Sequence, residues 1–140
     1  MQPLAVVAAH MRGDPGAFLL GETRRVATAA EAVYLVPTTR GWVCMQGQRF
    51  ATCHRGLLRQ GISWNFESEG DGVDVVGIAA DDVSGVALEY GKTEQQAVLH
   101  DNVFFVHRPA TFTPGQHSFP LGTLTIRYRD GRPKASVALR

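Results

Sequence analysis

The sequence predicts an all-β fold: an antiparallel β-sandwich of immunoglobulin-like kind, or a small barrel, with about eight or nine short strands and little helix. Two observations carry this. Apolar and polar residues alternate with a period of two through most of the chain, and turn residues recur roughly every 8 to 12 positions. Helical periodicity is confined to short pieces, around Ala27–Glu31 and Arg55–Gln60. The chain has 140 residues, enough to bury about two thirds of the unfolded surface around one core. With no repeat, low-complexity tract or linker, residues 1–140 read as a single domain.

In chain order, Pro3–Met11 is apolar but lacks a basic n-region and a cleavage pattern, so it makes a poor signal peptide. Ala32–Val36 and Trp42–Gln46 read as strands flanking a turn over Pro37–Gly41. In Ile62-Ser-Trp64-Asn-Phe66 the three large apolar side chains fall on one face of a half-buried strand. Asp71-Gly72 is expected to supply a tight turn, after which Val73–Ile78 returns as the second strand of a hairpin. Val86–Tyr90 alternates, turns at Gly91–Thr93, and is expected to return through Gln96 to Leu99. Asp101-Asn102 breaks that pattern. Val103–Val106 is a continuous apolar run, as expected of a strand covered on both faces. Pro109–Pro120 reads as a long loop. Leu124–Tyr128 and Ala135–Leu139 form a last hairpin, whose final strand Pro133 confines to an edge or a non-bonded position.

Both cysteines lie in "WVCMQGQRFATC". A two-residue loop at Gln48-Arg49 sets Cys44 opposite Cys53 at a non-hydrogen-bonded site, with Cα atoms about 4.5 Å apart; a four-residue loop keeps the pair at a wider site of about 5.5 Å. Either register favours a cross-strand disulfide that stabilises the fold by about 2.5–3 kcal/mol in the chain-entropy model. Free thiols in an intracellular protein are the alternative, since redox catalysis usually needs a C-x-x-C spacing and two cysteines cannot complete a structural zinc site. A structural disulfide points to an extracytoplasmic location, secreted or anchored through a segment outside the given chain, with the cytoplasm as the alternative.

Composition narrows the function classes. Fourteen basic against thirteen acidic residues leave a net charge of +1, too little field to steer toward nucleic acid or anionic lipid. No apolar run reaches the roughly 20 residues of a membrane-crossing helix. The five histidines, His10, His54, His100, His107 and His117, are scattered. Their ordinary reading is as surface or hydrogen-bonded groups, so no resident metal or other cofactor is expected. Cys53 and His54 are neighbours that a strand would send to opposite faces. Glu67, Glu69, Asp71 and Asp74 offer oxygen ligands near a hairpin tip, where hydrated turn carboxylates are the ordinary reading and calcium the alternative. Asp81-Asp82 reads as an acidic turn. Trp42 is the candidate ligand platform, with packing over the disulfide as its structural reading.

The segments "VYLVPTTRGWVCM", "TC", "VVGIAADDVSGVALEYG" and "AVLHDNVFFV", within roughly residues 24–106, resemble a loose group of uncharacterised extracytoplasmic domains of GC-rich Gram-positive bacteria. Gly77, Asp82, Val83 and Val86 stand at the positions of the group's central motif, and Asp101, Asn102 and Phe104 at those of its last one. Ala80-Asp81-Asp82 departs from the group's P-D-G turn. The resemblance implies export and brings no activity, so it supplies no catalytic residue. Together these readings favour a non-enzymatic binding or envelope-associated domain whose partner is an unnamed protein or envelope component. A small-ligand or carbohydrate-binding β-barrel, and a small metal-dependent or hydrolytic enzyme using His54, His100 or His107, are the alternatives.

Overall fold

The computed structural model describes residues 14–27, 32–47, 51–69, 71–109 and 121–139, and the side chains of these except Ala27 and 67–69. The apolar start at 3–11, the helix expected beyond Ala27, His10, His117 and the loop over 110–120 lie outside the described residues. The chain divides into two compact units, Met1–Leu57 and Leu58–Arg140.

The first unit carries one antiparallel sheet in chain order: β1 (Arg24–Ala27), β2 (Ala32–Pro37), β3 (Val43–Gln46) and β4 (Ala51–His54). The predicted turn over Pro37–Gly41 forms between β2 and β3. Thr38 closes it from both sides, its amide donating to the Trp42 carbonyl at 2.9 Å and its hydroxyl accepting from the Trp42 amide at 3.1 Å. Gly41, at φ 78°, supplies the left-handed residue that the turn requires. Strand β1 was not foreseen, because Arg24 and Arg25 leave Val26 as its one buried described side chain.

The second unit is built from four hairpins that go alternately to two sheets. Strands β5 (Ile62–Glu69) and β6 (Gly72–Ala79) start one sheet, and β7 (Val83–Tyr90) and β8 (Thr93–Gln96) start the other. Strands β9 (Val98–His100) and β10 (Val103–Pro109) return to the first, and β11 (Gly122–Tyr128) and β12 (Ala135–Leu139) to the second. The resulting orders are β5-β6-β10-β9 and β12-β11-β7-β8, all antiparallel. Alternating side chains of both sheets meet in one core: Ile62, Val73, Val75, Phe104 and Val106 from the first, Val86, Leu88, Leu124, Ile126 and Leu139 from the second. This is the predicted sandwich architecture. Among the described residues every sheet keeps two edges, so no barrel closes.

Several local expectations are corrected. The strand paired with β7 ends at Gln96 and does not run on to Leu99. The Asp101-Asn102 turn folds Val98–His100 back against Val103–Phe105, so those residues pair with β10 in the other sheet. The β5–β6 turn is not made by Asp71-Gly72: Gly72 is already in register with Glu69 and with Pro109. Gly72 is needed there because a Cβ would run into the Arg108 carbonyl. Residues 55–60 form bends and a turn, not a helix, closed by the Leu58 amide on the Ile62 carbonyl at 2.8 Å and the Gly61 amide on the Leu58 carbonyl at 2.9 Å. So short a segment, with Leu57 and Leu58 more than two-fifths exposed, has no apolar face to bury and hence little to stabilise a helix. As predicted, β12 is an edge strand.

Candidate functional site

In the first unit the register is the one the cysteine spacing predicted: Cys44 pairs with Cys53 and Gln46 with Ala51. The sulfurs are bonded and the Cα atoms lie 3.9 Å apart. Both cysteines are buried in a cluster with Val36 and Trp42, with Phe18 and Ala51 packed against it. Trp42 is therefore not an exposed ligand platform. Its ring is 6% exposed and packs with the cysteines, and the Arg55 guanidinium lies 5.3 Å from the ring centroid. What holds the indole inside is its large apolar area together with the cation over its face.

Successive strand residues alternate in direction, so Cys53 and His54 are separated as expected: Cys53 joins the disulfide cluster, while His54 pairs with Val43 on the opposite face. His54 is 6% exposed, and burial pushes its pKa down from 6.5 to about 4. It is neutral at pH 7.

The second unit assembles something that the sequence did not suggest. His107 on β10 is the register partner of Asp74 on β6, and Glu67 on β5 is Asp74's partner on its other side. His107 Nδ1 lies 2.6 Å from Asp74 Oδ1, and its Nε2 lies 3.5 Å from Asp71 Oδ1. The histidine and the inner carboxylate are sheltered, with side chains 31% and 22% exposed, whereas Asp71 stands in solvent at 85%. The backbone at His107 is held as well, because Gln95 Nε2 on β8 donates to its carbonyl at 2.7 Å and Tyr90 Oη donates to Gln95 Oε1 at 3.1 Å. Beside it, Arg108 stacks 4.2 Å from the Tyr90 ring centroid and donates to the Leu121 carbonyl at 2.7 Å.

This His–Asp pair joins two groups that the sequence held apart, the scattered histidines and the acidic hairpin tip. Alternation within β6 and β10 was legible. That these two strands are neighbours was not, since Val103 lies 24 positions after Ala79 and three strands, β7, β8 and β9, intervene. Of the acidic set, Asp71 and Asp74 come together at His107; the side chains of Glu67 and Glu69 lie outside the description. Among the described residues, no group of three or more His, Cys, Asp or Glu side chains is placed to hold a metal ion.

The remaining candidates tie the fold together. His100 Nε2 is 3.3 Å from Asp101 Oδ2, both side chains 59% exposed. Asp81 accepts from Asn102 Nδ2 at 2.7 Å, and its carbonyl accepts from Arg129 Nε at 2.9 Å. Asp82 pairs with Arg132, whose guanidinium lies 3.8 Å from the Tyr128 ring centroid. The two carboxylates thus brace the β6–β7 corner against neighbouring turns and do not converge on each other. No helix among the described residues is long and apolar enough to cross a membrane. No protein-family model, curated protein or solved structure significantly matches the chain.

Proposed function

We propose that this chain is an extracytoplasmic β-rich domain that acts by binding or assembly at the cell envelope, with a protein or envelope component as its partner. The observation that carries the compartment is the buried Cys44–Cys53 bond. A cross-strand disulfide persists where the surroundings are oxidising, and reducing compartments keep such thiols free. The resemblance of "VVGIAADDVSGVALEYG" and "AVLHDNVFFV" to exported domains of uncharacterised role supports the same reading. Within each unit the described sheets keep open strand edges, which suits recognition through surface and edge more than enclosure of a small ligand. The carbohydrate-binding alternative is weakened by the burial of Trp42 and the open sheets.

The test is thiol trapping in the native cell followed by mass spectrometry. A Cys44–Cys53 cross-linked peptide recovered from the envelope or medium fraction is expected. Two alkylated cysteines in a cytosolic fraction would overturn the assignment.

A further inference from the structure

We infer that β5 is the edge through which two copies of this chain pair, antiparallel and in a register centred on Asn65. Strand β5 (Ile62–Glu69) stands at the outside of its sheet, in the order β5-β6-β10-β9. An edge strand offers a row of backbone amides and carbonyls that a further strand can take up. Folds blunt such edges by keeping them short or by placing lysine, proline or a bulge on them. Among the described residues the other edge strands are short: β1, β4 and β8 have four residues, β9 three, and β12 five, the last preceded by Pro133 and Lys134. Strand β5 has eight, without proline or lysine, and pairs with β6 over its whole length with no register shift.

The direction of its backbone groups follows from the hydrogen bonds at its start. The Ala80 amide donates to the Gly61 carbonyl at 2.8 Å, one step before Ile62 pairs with Ala79, so odd-numbered positions exchange bonds with β6 and even-numbered ones point away. The Leu58 amide, which reaches the Ile62 carbonyl from outside at 2.8 Å, agrees with this. Trp64 and Phe66 therefore present their amides and carbonyls outward. Their side chains share the face of Ile62, where Trp64 packs against the core and Phe66 is 42% exposed. The occupant that fits is a second copy of the same strand. With Asn65 opposite Asn65 of the second copy, Trp64 of each copy meets Phe66 of the other as a hydrogen-bonded pair, which sets an aromatic ring beside the exposed Phe66. The acidic positions 67 and 69 then fall opposite Ser63 and Gly61, so no carboxylate faces another. A contact of this isologous kind is closed by its twofold axis and stops at a dimer. It requires nothing of the disulfide or the compartment, so its failure would leave the extracytoplasmic proposal intact.

The experiment is sedimentation equilibrium of the full chain from micromolar to near-millimolar concentration. A reversible monomer–dimer equilibrium is expected in the wild type, weak because a single strand pair buries less than the roughly 1,200 Å² of a standard interface. Phe66→Lys should raise the dissociation constant about tenfold or more, since each loss counts twice across the twofold axis. Phe66→Pro, which deletes an outward amide and leaves the β6 ladder whole, should abolish the dimer. Val98→Lys, on the exposed β9 edge of the same sheet, should leave the equilibrium unchanged. Thermal unfolding shows whether each variant is folded. The register is read by mild oxidation. Asn65→Cys sets two thiols at a non-hydrogen-bonded pair, with Cα atoms about 4.5 Å apart, and should give a disulfide-linked dimer. Ser63→Cys should not, because its two copies lie roughly 13 Å apart along the strands. The native cysteines are bonded to each other, so the added thiol is the one that reports. A wild-type chain that stays monomeric throughout, as it would if the edge instead received an extended segment of another protein, would overturn the pairing. So would a dimer that folded Phe66→Lys and Phe66→Pro leave unchanged, or equal cross-linking at positions 63 and 65.

Discussion

Phe104 and Gly77 are register partners on β10 and β6, and the Phe104 ring fills the space that a Cβ on Gly77 would need. The ring is completely buried, and the Ser63 carbonyl of β5 crowds the same point from the other side. An aromatic side chain laid over a strand glycine covers backbone that would otherwise face a void, and it pins the pairing of β6 with β10. Both residues lie inside the motifs that carried the resemblance, and the reason for them is packing.

Gly77→Ala is therefore expected to cost about 2–3 kcal/mol through overpacking, and Phe104→Ala about 3–5 kcal/mol through the cavity it leaves. The two costs should fall short of additivity in the double variant, because truncating the ring removes one of the two groups that the new methyl strikes. Urea unfolding followed by Trp64 fluorescence in a Trp42→Phe background reads the second unit alone, since the chain has only these two tryptophans. Full additivity would show that the ring and the glycine are not in contact.

Asp101 and Asn102 have φ values of 48° and 70° and form the two-residue loop between the paired His100 and Val103. That is the type I′ geometry whose twist matches the flanking strands. Asn102 also donates to the Ala79 carbonyl at 3.0 Å and to Asp81 at 2.7 Å, tying this turn to the β6–β7 corner. Asn102→Gly keeps the backbone freedom and loses the two side-chain bonds, for an expected cost of about 1–2 kcal/mol. Asn102→Ala should cost about 1 kcal/mol more, because alanine adds the left-handed penalty. Equal losses in the two variants, measured by the same Trp64-monitored unfolding, would mean that the positive φ carries no weight.

The parts of this fold that were readable in advance are those set by neighbours in sequence. Alternation located β5, β6, β7, β11 and β12, and the cysteine spacing gave the exact β3–β4 register, because a short loop and period-two geometry leave few choices. The parts that were not readable depend on partners far along the chain. Val98–His100 alternates as well with β8 as without it; only its pairing with β10 decides which sheet it joins. Asp74 and His107 carry no local sign of each other, and Trp42 carried no sign of whether its ring would face outward or inward. Arg55, which lies over that ring, follows β4 by one residue, but stacking of this kind is fixed by backbone bends that no periodicity encodes.

The Cys44–Cys53 bond should stabilise the first unit by limiting its unfolded ensemble. For the nine-residue separation between the cysteines, the chain-entropy estimate is about 2.6 kcal/mol. Reduction is expected to lower the unfolding free energy by that amount when Trp42 fluorescence is followed in a Trp64→Phe background. Trp42 packs against the cysteines, so its emission reports the same cluster. An unchanged urea midpoint after complete reduction, verified by thiol counting, would remove the staple from the energetics of the unit.

His54 makes the first unit acid-sensitive in a window that carboxylates do not dominate. Its pKa is lowered from 6.5 to about 4 because burial disfavours the imidazolium. Above pH 6.5 the ring is neutral in both folded and unfolded chains and contributes no pH dependence. Between pH 6.5 and 4 the unfolded chain binds a proton that the folded one refuses, so stability falls as pH falls. The total is about 3 kcal/mol for a shift of this size, and the slope flattens below pH 4, where the folded state is protonated too. His54→Leu should abolish the decline above about pH 5, the region least affected by carboxylates, even where it alters stability at pH 7. Urea midpoints followed through Trp42 across this range compare the two slopes, and a wild-type slope retained in His54→Leu would assign the acid sensitivity to another group.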